Sequence, residues 1–415
     1  MKTLICTVGG SHQPIIKAIQ DNEPDFVLFV CSEDDAGGNR GSYEQILKAG
    51  IFLKQGRDDP KPTLPNIPTQ LDLPVARYQV LCVYADDLDH AYRQIAECIN
   101  VYVQRGDNIV VDYTGGTKTM SAALCLPALD HDDISLQLVT GVRADLHKVK
   151  DGTEESQTAE IGRTRFKLKA TQALEAWQQY AYDDTLQQLR KQKPAHREDK
   201  ARLTAIRELS RAFSHWDRFD HVAAQIILQN LPRYEHELKP YLANLRDLCR
   251  EGKRQMPSRL LDLWRNTQRR ATQQRYDDAT ARAYRLTEWT AQWLLEAQAN
   301  IKTSEVPADK IPEGMELHEQ KGKYLASLMQ AWQLAALHGR PEVAEFWKNH
   351  EGRLKNWLQI RNYSILAHGF EAISLEKWQE IERFMEDALI PLILSQVNGL
   401  GMRELPAQLP QTFVV

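Results

Sequence analysis

The first 165 residues alternate between short apolar runs and helical patterns, and this alternation constrains the fold more than any other feature. The apolar runs are rich in β-branched and aromatic residues, and they comprise Thr3 to Val8, Phe26 to Cys31, Tyr78 to Tyr84, Asn108 to Tyr113 and Ile134 to Thr140. Helical patterns lie between them at His12 to Gln20, Asp87 to Gln104 and Thr117 to Asp130. We therefore expect an α/β, Rossmann-like domain with a mostly parallel, doubly wound sheet whose ligands bind at the carboxyl ends of the strands.

A change in composition separates this region from the rest of the chain. All nine tryptophans lie at Trp177 or later, whereas 13 of the 21 glycines lie at or before Gly162. Later segments are almost wholly helical in pattern: Thr171 to Arg190, Lys200 to His215, Phe219 to Leu231, Lys239 to Arg250, Pro257 to Ala299, Lys323 to His338, Pro341 to His368 and Ser374 to Val397. Because 415 residues exceed one ordinary core, we predict an α/β domain at 1–168, an all-α connector at 169–275 and an all-α bundle at 276–415.

Two glycine pairs follow strands of the predicted sheet, each just before a helix. The first lies in Thr7-Val8-Gly9-Gly10-Ser11-His12-Gln13-Pro14, and the second in Asp112-Tyr113-Thr114-Gly115-Gly116-Thr117-Lys118-Thr119-Met120. Glycines let the backbone approach a ligand, and backbone N–H groups at a helix start beside threonine hydroxyls and Lys118 suit a phosphate. No Walker A pattern precedes Thr119. The alternative is that each pair only forms a tight strand-to-helix turn.

The stretch Ile360-Arg361-Asn362-Tyr363-Ser364-Ile365-Leu366-Ala367-His368-Gly369 places an arginine and a histidine seven residues apart. On a helix this spacing returns to nearly the same face, so we expect Arg361, Ser364 and His368 to form a polar stripe. Leu358, Ile365 and Leu366 would lie beside it and point into a core. A permanent cation beside an imidazole suits metal-free cleavage of an RNA phosphodiester. The alternative is a solvated Arg361 and a His368 that merely ends the helix.

Taken together, these motifs resemble the ancillary ribonucleases of type III CRISPR systems. Those proteins join a CARF domain, a CRISPR-associated Rossmann fold, to a HEPN ribonuclease domain. The resemblance rests on the two glycine loops, on Arg361 with the polar Asn362, and on His368, with six residues between arginine and histidine. It implies that Arg361, Asn362 and His368 are catalytic. It also implies a cyclic oligoadenylate site made of Gly9, Gly10, Ser11, His12, Thr114, Gly115, Gly116, Thr117, Lys118 and Met120.

The resemblance further implies a homodimer that binds cyclic oligoadenylate, expected to be cyclic tetra-adenylate with hexa-adenylate left open. The ligand then activates cleavage of single-stranded RNA. Two copies of the motif around a two-fold axis would supply both a base and an acid for attack by the 2′-hydroxyl, without a metal or other cofactor. His368 would handle protons, Arg361 would stabilise phosphoryl charge, and Asn362 would position the substrate, with Ser364 a weaker candidate.

Two other functions stay open on the sequence. One is a nucleotide-sensing regulator that has no catalytic centre and acts through a partner. The other is a ribonuclease whose first domain also cleaves its own activator, with Lys118, Thr114 and Ser11 orienting a 2′-hydroxyl of the ring. The residues do not distinguish a pocket that holds the ring from one that cleaves it.

Composition limits the remaining possibilities. A net charge of −4 argues against tight, sequence-independent duplex binding. Seven basic residues of the connector form either a basic groove or, more simply, a solvated helix face: Arg250, Lys253, Arg254, Arg259, Arg265, Arg269 and Arg270. Six cysteines without a C-x-x-C pair predict reduced, buried thiols. The apolar run before Gly9 is too short for a signal peptide and no segment suits a membrane span, so we expect a cytoplasmic protein.

Overall fold

The computed structural model describes residues 1–35, 37–38, 40–47, 64–141, 143–145, 148–149 and 153–414. The chain divides into two compact units, Met1–Leu168 and Lys169–Val415. Within the described ranges, no helix is both long and apolar enough to cross a lipid bilayer.

The first unit is built on a sheet to which six of the described strands contribute, in the order β3-β2-β1-β4-β5-β8. Its strands are β1 (Lys2–Thr7), β2 (Phe26–Ser32), β3 (Tyr78–Val83), β4 (Asn108–Asp112), β5 (Ser135–Thr140) and β8 (Glu155–Thr158), with a separate pair β6 (Arg143–Asp145) and β7 (Lys148–Val149). The first five strands are parallel, and β8 joins β5 in antiparallel orientation. The predicted Rossmann-like α/β fold is confirmed, and each of the five predicted strands begins and ends within one residue of its prediction.

Helices cover both faces of this sheet. They are α1 (Gln13–Asn22), α2 (Glu44–Leu47), α3 (Ile67–Gln70), α4 (Leu88–Gln104), α5 (Lys118–Leu129) and α6 (Gly162–Leu174), the last of which runs on into the second unit. Alternate residues of β1 enter different cores, because side chains of a strand point to opposite faces. Leu4 packs with the buried face of α1, whereas Ile5 packs with α4 and α5. Since β1 pairs with both β2 and β4, the strand order reverses beside β1, which is where such sheets bind ligands.

The second unit is almost entirely helical. Its helices are α7 (Tyr182–Gln188), α8 (Arg197–Asp217), α9 (His221–Gln229), α10 (Glu235–Cys249), α11 (Gln255–Thr272), α12 (Tyr276–Ala299), α13 (Leu328–His338), α14 (Pro341–Asn362), α15 (Leu375–Phe384) and α16 (Ile390–Val397). A π-helical turn, Met385–Leu389, joins α15 to α16. A short hairpin of β9 (His318–Gln320) and β10 (Lys323–Leu325) replaces the start of the helix predicted from Lys323.

Two hydrophobic clusters stabilise this unit. One is centred on Trp177, Phe213 and Trp216, and the C-terminal Leu409 completes it. The other spans α11 to α16 and includes Leu260 and Leu261 of α11. The core of the bundle therefore begins within α11. The sequence pattern had placed the start of the last domain later, at residue 276.

The structure corrects two sequence expectations here. The helix predicted from Pro257 to Ala299 is two helices, separated where Gln274 adopts a left-handed backbone with φ of 59°. Three of the connector arginines form neither a basic groove nor a solvated face: Arg269 is fully buried, Arg270 is nearly so, and both pair with Asp217. Burial also lowers the pKa of Arg265, whose guanidinium donates to the Pro406 carbonyl oxygen.

Candidate functional site

The two glycine loops of the first unit pack directly against each other. They follow β1 and β4, which are neighbouring parallel strands. A Cβ atom added to Gly9 would lie 2.6 Å from the Gly116 nitrogen, and one added to Gly115 would lie 2.2 Å from the Thr7 carbonyl oxygen. Gly116 also has a φ of +77°, which side-chain-bearing residues rarely adopt. The loops can approach this closely only because Gly9, Gly115 and Gly116 have no side chain. We call residues 7–12 and 112–120 together the glycine cradle.

Hydroxyl groups fix the conformation of the cradle. The Thr7 hydroxyl and the Ser121 hydroxyl both donate to the Gly115 carbonyl oxygen, at 2.7 and 2.9 Å. Thr117 caps α5 by accepting from the Met120 N–H, and its hydroxyl donates to the Ala85 carbonyl oxygen. The Thr7 and Ser121 hydroxyls therefore hold the backbone of the Gly115 loop, and the Thr117 hydroxyl ties the start of α5 to Ala85.

The predicted ligand contacts differ in their exposure. Gly10, Ser11 and Lys118 lie at the surface, and nothing lies within 4 Å of a Cβ added to Gly10. His12 is 2% exposed and Met120 is completely buried in the core beneath the sheet, so their side chains support the cradle from within.

Polar contacts also anchor the end of β4. The Thr114 hydroxyl accepts from the Val139 N–H at 2.7 Å, and the buried Asp112 carboxylate accepts from the Thr114 N–H and the Gln137 side chain. Burial raises the pKa of Asp112 above its usual range, and the hydrogen bonds from Thr114 and Gln137 oppose that rise.

The expectation that Arg361 and His368 share one helical face is wrong. Helix α14 ends at Asn362, and residues 363–369 form consecutive turns. Backbone pairing with a later residue ends the helix, because the Ile365 N–H donates to the Glu371 carbonyl oxygen and the Glu371 N–H donates to that of Tyr363. Ser364 is consequently buried, and it lies inside the turn.

This turn nevertheless brings the three predicted catalytic residues together. The His368 N–H donates to the Asn362 carbonyl oxygen at 3.2 Å, and the Gly369 N–H donates to that of Ser364. A Cβ atom added to Gly369 would lie 1.8 Å from the Tyr363 carbonyl oxygen, a distance that no side chain tolerates. The close return of the chain to the end of α14 thus depends on glycine at this position.

Contacts with neighbouring side chains orient the motif. The Arg361 guanidinium carbon lies 4.1 Å from the centre of the Tyr284 ring, and Arg361 Nη1 donates to Asn362 Oδ1 at 3.1 Å. This cation–π contact and hydrogen bond restrict the arginine, while Asn362 and His368 remain exposed. Tyr284 lies on α12, far away in sequence, and no signal in its neighbourhood linked it to the motif.

Four large apolar side chains around the motif are exposed. Leu358 is buried as predicted, but Ile365 and Leu366 are 59% and 53% exposed rather than in a core. Tyr363 and Phe370 accompany them, and Phe370 is 96% exposed. We call Tyr363, Ile365, Leu366 and Phe370 the apolar rim, and exposed apolar surface of this kind marks interaction sites.

The region that contains the motif is similar to a described domain family. A sequence model of the Csm6 HEPN domain matches residues 249–391, which include Arg361, Asn362 and His368. The fold is similar to that of Enterococcus italicus Csm6 bound to cyclic hexa-2′-fluoro-hexa-dAMP, with a TM-score of 0.55 and 15% identity over 96% of this chain and 95% of that one. The family match and the shared fold confirm the resemblance to CARF–HEPN proteins.

A second solved structure aligns with only part of the chain. Can2 from Sulfobacillus thermosulfidooxidans, in complex with cyclic tetra-adenylate, aligns with a TM-score of 0.25 and 14% identity over 54% of this chain and 69% of that one. No curated protein matches the chain.

Proposed function

We propose that this chain is a single-stranded RNA endoribonuclease of type III CRISPR defence that a cyclic oligoadenylate activates. One observation carries the proposal: the turn after α14 holds Arg361, Asn362 and His368 together at the surface, inside the region that matches the Csm6 HEPN domain. The Csm6 structure that shares the fold holds a cyclic oligonucleotide, which supports the same ligand class for the glycine cradle.

The proposed reaction is transesterification. The 2′-oxygen attacks the adjacent phosphorus while its proton passes to one imidazole, and the bond from phosphorus to the 5′-oxygen breaks. That oxygen takes a proton from a second imidazole and leaves as a 5′-hydroxyl, so the other product is a 2′,3′-cyclic phosphate. Arg361 stabilises the negative charge on the phosphoryl oxygens, and Asn362 fixes Arg361 and the substrate. No step requires a metal ion.

The apolar rim supports the homodimer that this chemistry needs. One chain has one copy of the motif, whereas the reaction uses a base and an acid. Four exposed apolar residues next to that copy suit contact with the same residues of a second chain across a two-fold axis. Phe370→Glu should therefore lower both self-association in sedimentation velocity and RNA cleavage. Unchanged association would contradict this interface.

Cleavage of a fluorescent single-stranded RNA in EDTA tests the function. Wild-type protein is assayed with no ligand, with cyclic tetra-adenylate and with cyclic hexa-adenylate, beside His368→Ala. His318→Ala is a matched control, because His318 is an exposed histidine of the same unit outside the motif. We expect cleavage that needs one of the rings, survives EDTA, persists in His318→Ala and is lost in His368→Ala.

The other outcomes identify the alternatives. If neither ring elicits cleavage, the protein is better explained as a nucleotide-sensing regulator. If His368→Ala still cuts, the motif is not the catalytic site. The ring size that activates decides between tetra- and hexa-adenylate, and a time course of labelled ring with His368→Ala protein reports whether the first unit cleaves its own activator.

A further inference from the structure

A cavity of about 240 Å³ lies between α14 and α15, on the same helix that ends in the motif. Its lining residues are Arg353, Asn356, Trp357, Glu380, Arg383 and Phe384. Arg353 precedes Arg361 by eight residues, which at the rise of an α-helix is about 12 Å along the axis. The cavity is thus close enough to the motif for one RNA strand of a few nucleotides to reach both.

Hydrogen-bond donors without acceptors surround this cavity. Trp357 is 2% exposed, and its Nε1–H has no hydrogen-bond partner in the described structure. Neither the Arg383 guanidinium nor the Asn356 amide bonds to another described side chain, and Glu380 is the single carboxylate in the lining. The exposed Asn356 and Arg383 donors of this lining fit a ligand rich in acceptor oxygens and nitrogens.

The Arg353 guanidinium is already placed for an aromatic ligand. Its central carbon lies 5.6 Å from the centre of the Phe384 ring, which in turn packs against Trp357 at 6.2 Å. Arg353 is 45% exposed, and it pairs with Asp387, which is 3.9 Å away and 64% exposed. Such a weak, solvated ion pair leaves the cation available, and a guanidinium plane is a common stacking surface for unstacked RNA bases.

The backbone departs from regular geometry at this place. The π-helical turn Met385–Leu389 begins directly after Phe384 and carries Asp387. Turns of this kind cost stability and occur frequently at functional sites. On the facing side, His350 of α14 packs on the same Phe384 ring, and its Nδ1 also has no partner among the described residues. Burial, and to a lesser extent Arg353, lower the pKa of His350.

We propose that this cavity binds one nucleotide of the single-stranded RNA substrate a few nucleotides from the scissile phosphate. The base lies against the Arg353 guanidinium and accepts from the Asn356 amide, while Arg383 pairs with the phosphate. The proposal rests on the ribonuclease function proposed above, and it assigns this surface a role in substrate affinity rather than in bond cleavage. An acidic peptide would also suit the arginines, but its carboxylates offer no ring to stack on the Arg353 guanidinium.

Steady-state cleavage kinetics of the ligand-activated, full-length protein test this site. Arg353→Gln, Arg383→Gln and Asn356→Ala are compared with Arg340→Gln, an exposed arginine at the start of the same helix. For a long RNA we expect KM to rise by about tenfold in each arginine variant and less in Asn356→Ala, with kcat nearly unchanged. A dinucleotide substrate, too short to reach the cavity, should show the wild-type KM in every variant.

Salt dependence provides a second readout. In the His368→Ala background, the slope of the logarithm of RNA affinity against the logarithm of salt concentration should fall by about 0.7 when Arg383 is replaced. Melting temperatures equal to that of the parent protein show that the variants fold. Failure of the wild type to cut or bind any RNA would overturn the ribonuclease function itself. Wild-type cleavage with unchanged KM and salt slope in the variants would overturn only this cavity, as would a loss confined to kcat.

Discussion

Replacement of Gly369 by alanine should lower ribonuclease activity by roughly 100-fold while leaving the fold intact. The added Cβ would lie 1.8 Å from the Tyr363 carbonyl oxygen and 2.2 Å from its carbon. The atoms that the added Cβ meets are backbone atoms of Tyr363, and the pairing of residues 363–365 with Glu371 holds them in place. Rotation of a side chain therefore cannot relieve the clash. The turn must therefore open.

The size of the effect follows from the bonds that the turn contains. Opening it breaks the hydrogen bonds from His368 to Asn362, from Gly369 to Ser364 and from Glu371 to Tyr363. At about 1 kcal/mol each, their loss costs about 3 kcal/mol, and it is local because the apolar rim is already exposed. The displaced His368 no longer meets the substrate correctly, and a misplacement of about 1 Å reduces catalysis by roughly 100-fold.

Single-turnover cleavage of a fluorescent RNA at saturating activator measures the loss directly. Far-UV circular dichroism and the melting temperature report the fold. Gly352→Ala is the matched control, because Gly352 lies in the same helix α14 with open space around its Cβ position. That variant should cut like the wild type and gain about 0.5–1 kcal/mol of stability. A Gly369→Ala protein that cleaves within about threefold of the wild-type rate would refute the argument, since the displacement predicts roughly 100-fold.

Three further predictions concern the first unit. Gly115→Ala should weaken binding of cyclic oligoadenylate at least about tenfold in calorimetry, because its Cβ would lie 2.2 Å from the Thr7 carbonyl oxygen and separate the two loops of the cradle. Asp112→Asn should become increasingly stable relative to the wild type as pH rises from about 4 to 7. The raised pKa of Asp112 means that the folded wild type is destabilised as this carboxyl ionises, whereas asparagine does not ionise. Melting temperatures across this pH range measure the difference. Arg165→Met should lower the stability of this unit by about 3 kcal/mol or more, since the guanidinium donates to the carbonyl oxygens of Ala128, Leu129, Asp132 and Ile134.

Separate probes make these predictions independent. Gly162→Ala, with open space at its Cβ position, is the control for Gly115→Ala and should bind like the wild type. A stability difference between Asp112→Asn and the wild type that does not vary with pH would show that the ionised carboxylate is not disfavoured. All nine tryptophans lie in the second unit, so Arg165→Met should shift the urea transition seen by circular dichroism and leave that seen by tryptophan fluorescence in place. Equal shifts in both would contradict a local effect.

The sequence by itself determined the fold class. Apolar runs of strand length and helical periodicities mark the five parallel strands and helices α1, α4 and α5 of the first unit, because local burial patterns record which face of an element is covered. The antiparallel β8 and the short helices α2 and α3 were not predicted. Glycine pairs after β1 and β4 pointed to a ligand cradle, and Arg361, Asn362 and His368 stood out as residues with suitable chemistry. The roles of these residues in binding and catalysis remain predictions.

Only the tertiary structure decided how these residues meet. The cradle exists because β1 and β4 are neighbours in the sheet, a pairing across about 100 residues that no local pattern encodes. The apolar periodicity predicted that α14 continues to His368. In the structure, backbone hydrogen bonds between the turn and Glu371 end the helix at Asn362. Likewise, the sequence alone suggests that Arg269 is a surface charge, but in the structure it is buried and pairs with Asp217 of helix α8. The local residue pattern determines which secondary structure a segment favours by itself. Contacts between distant segments add free energies large enough to change where a helix ends and which residues its side chains contact.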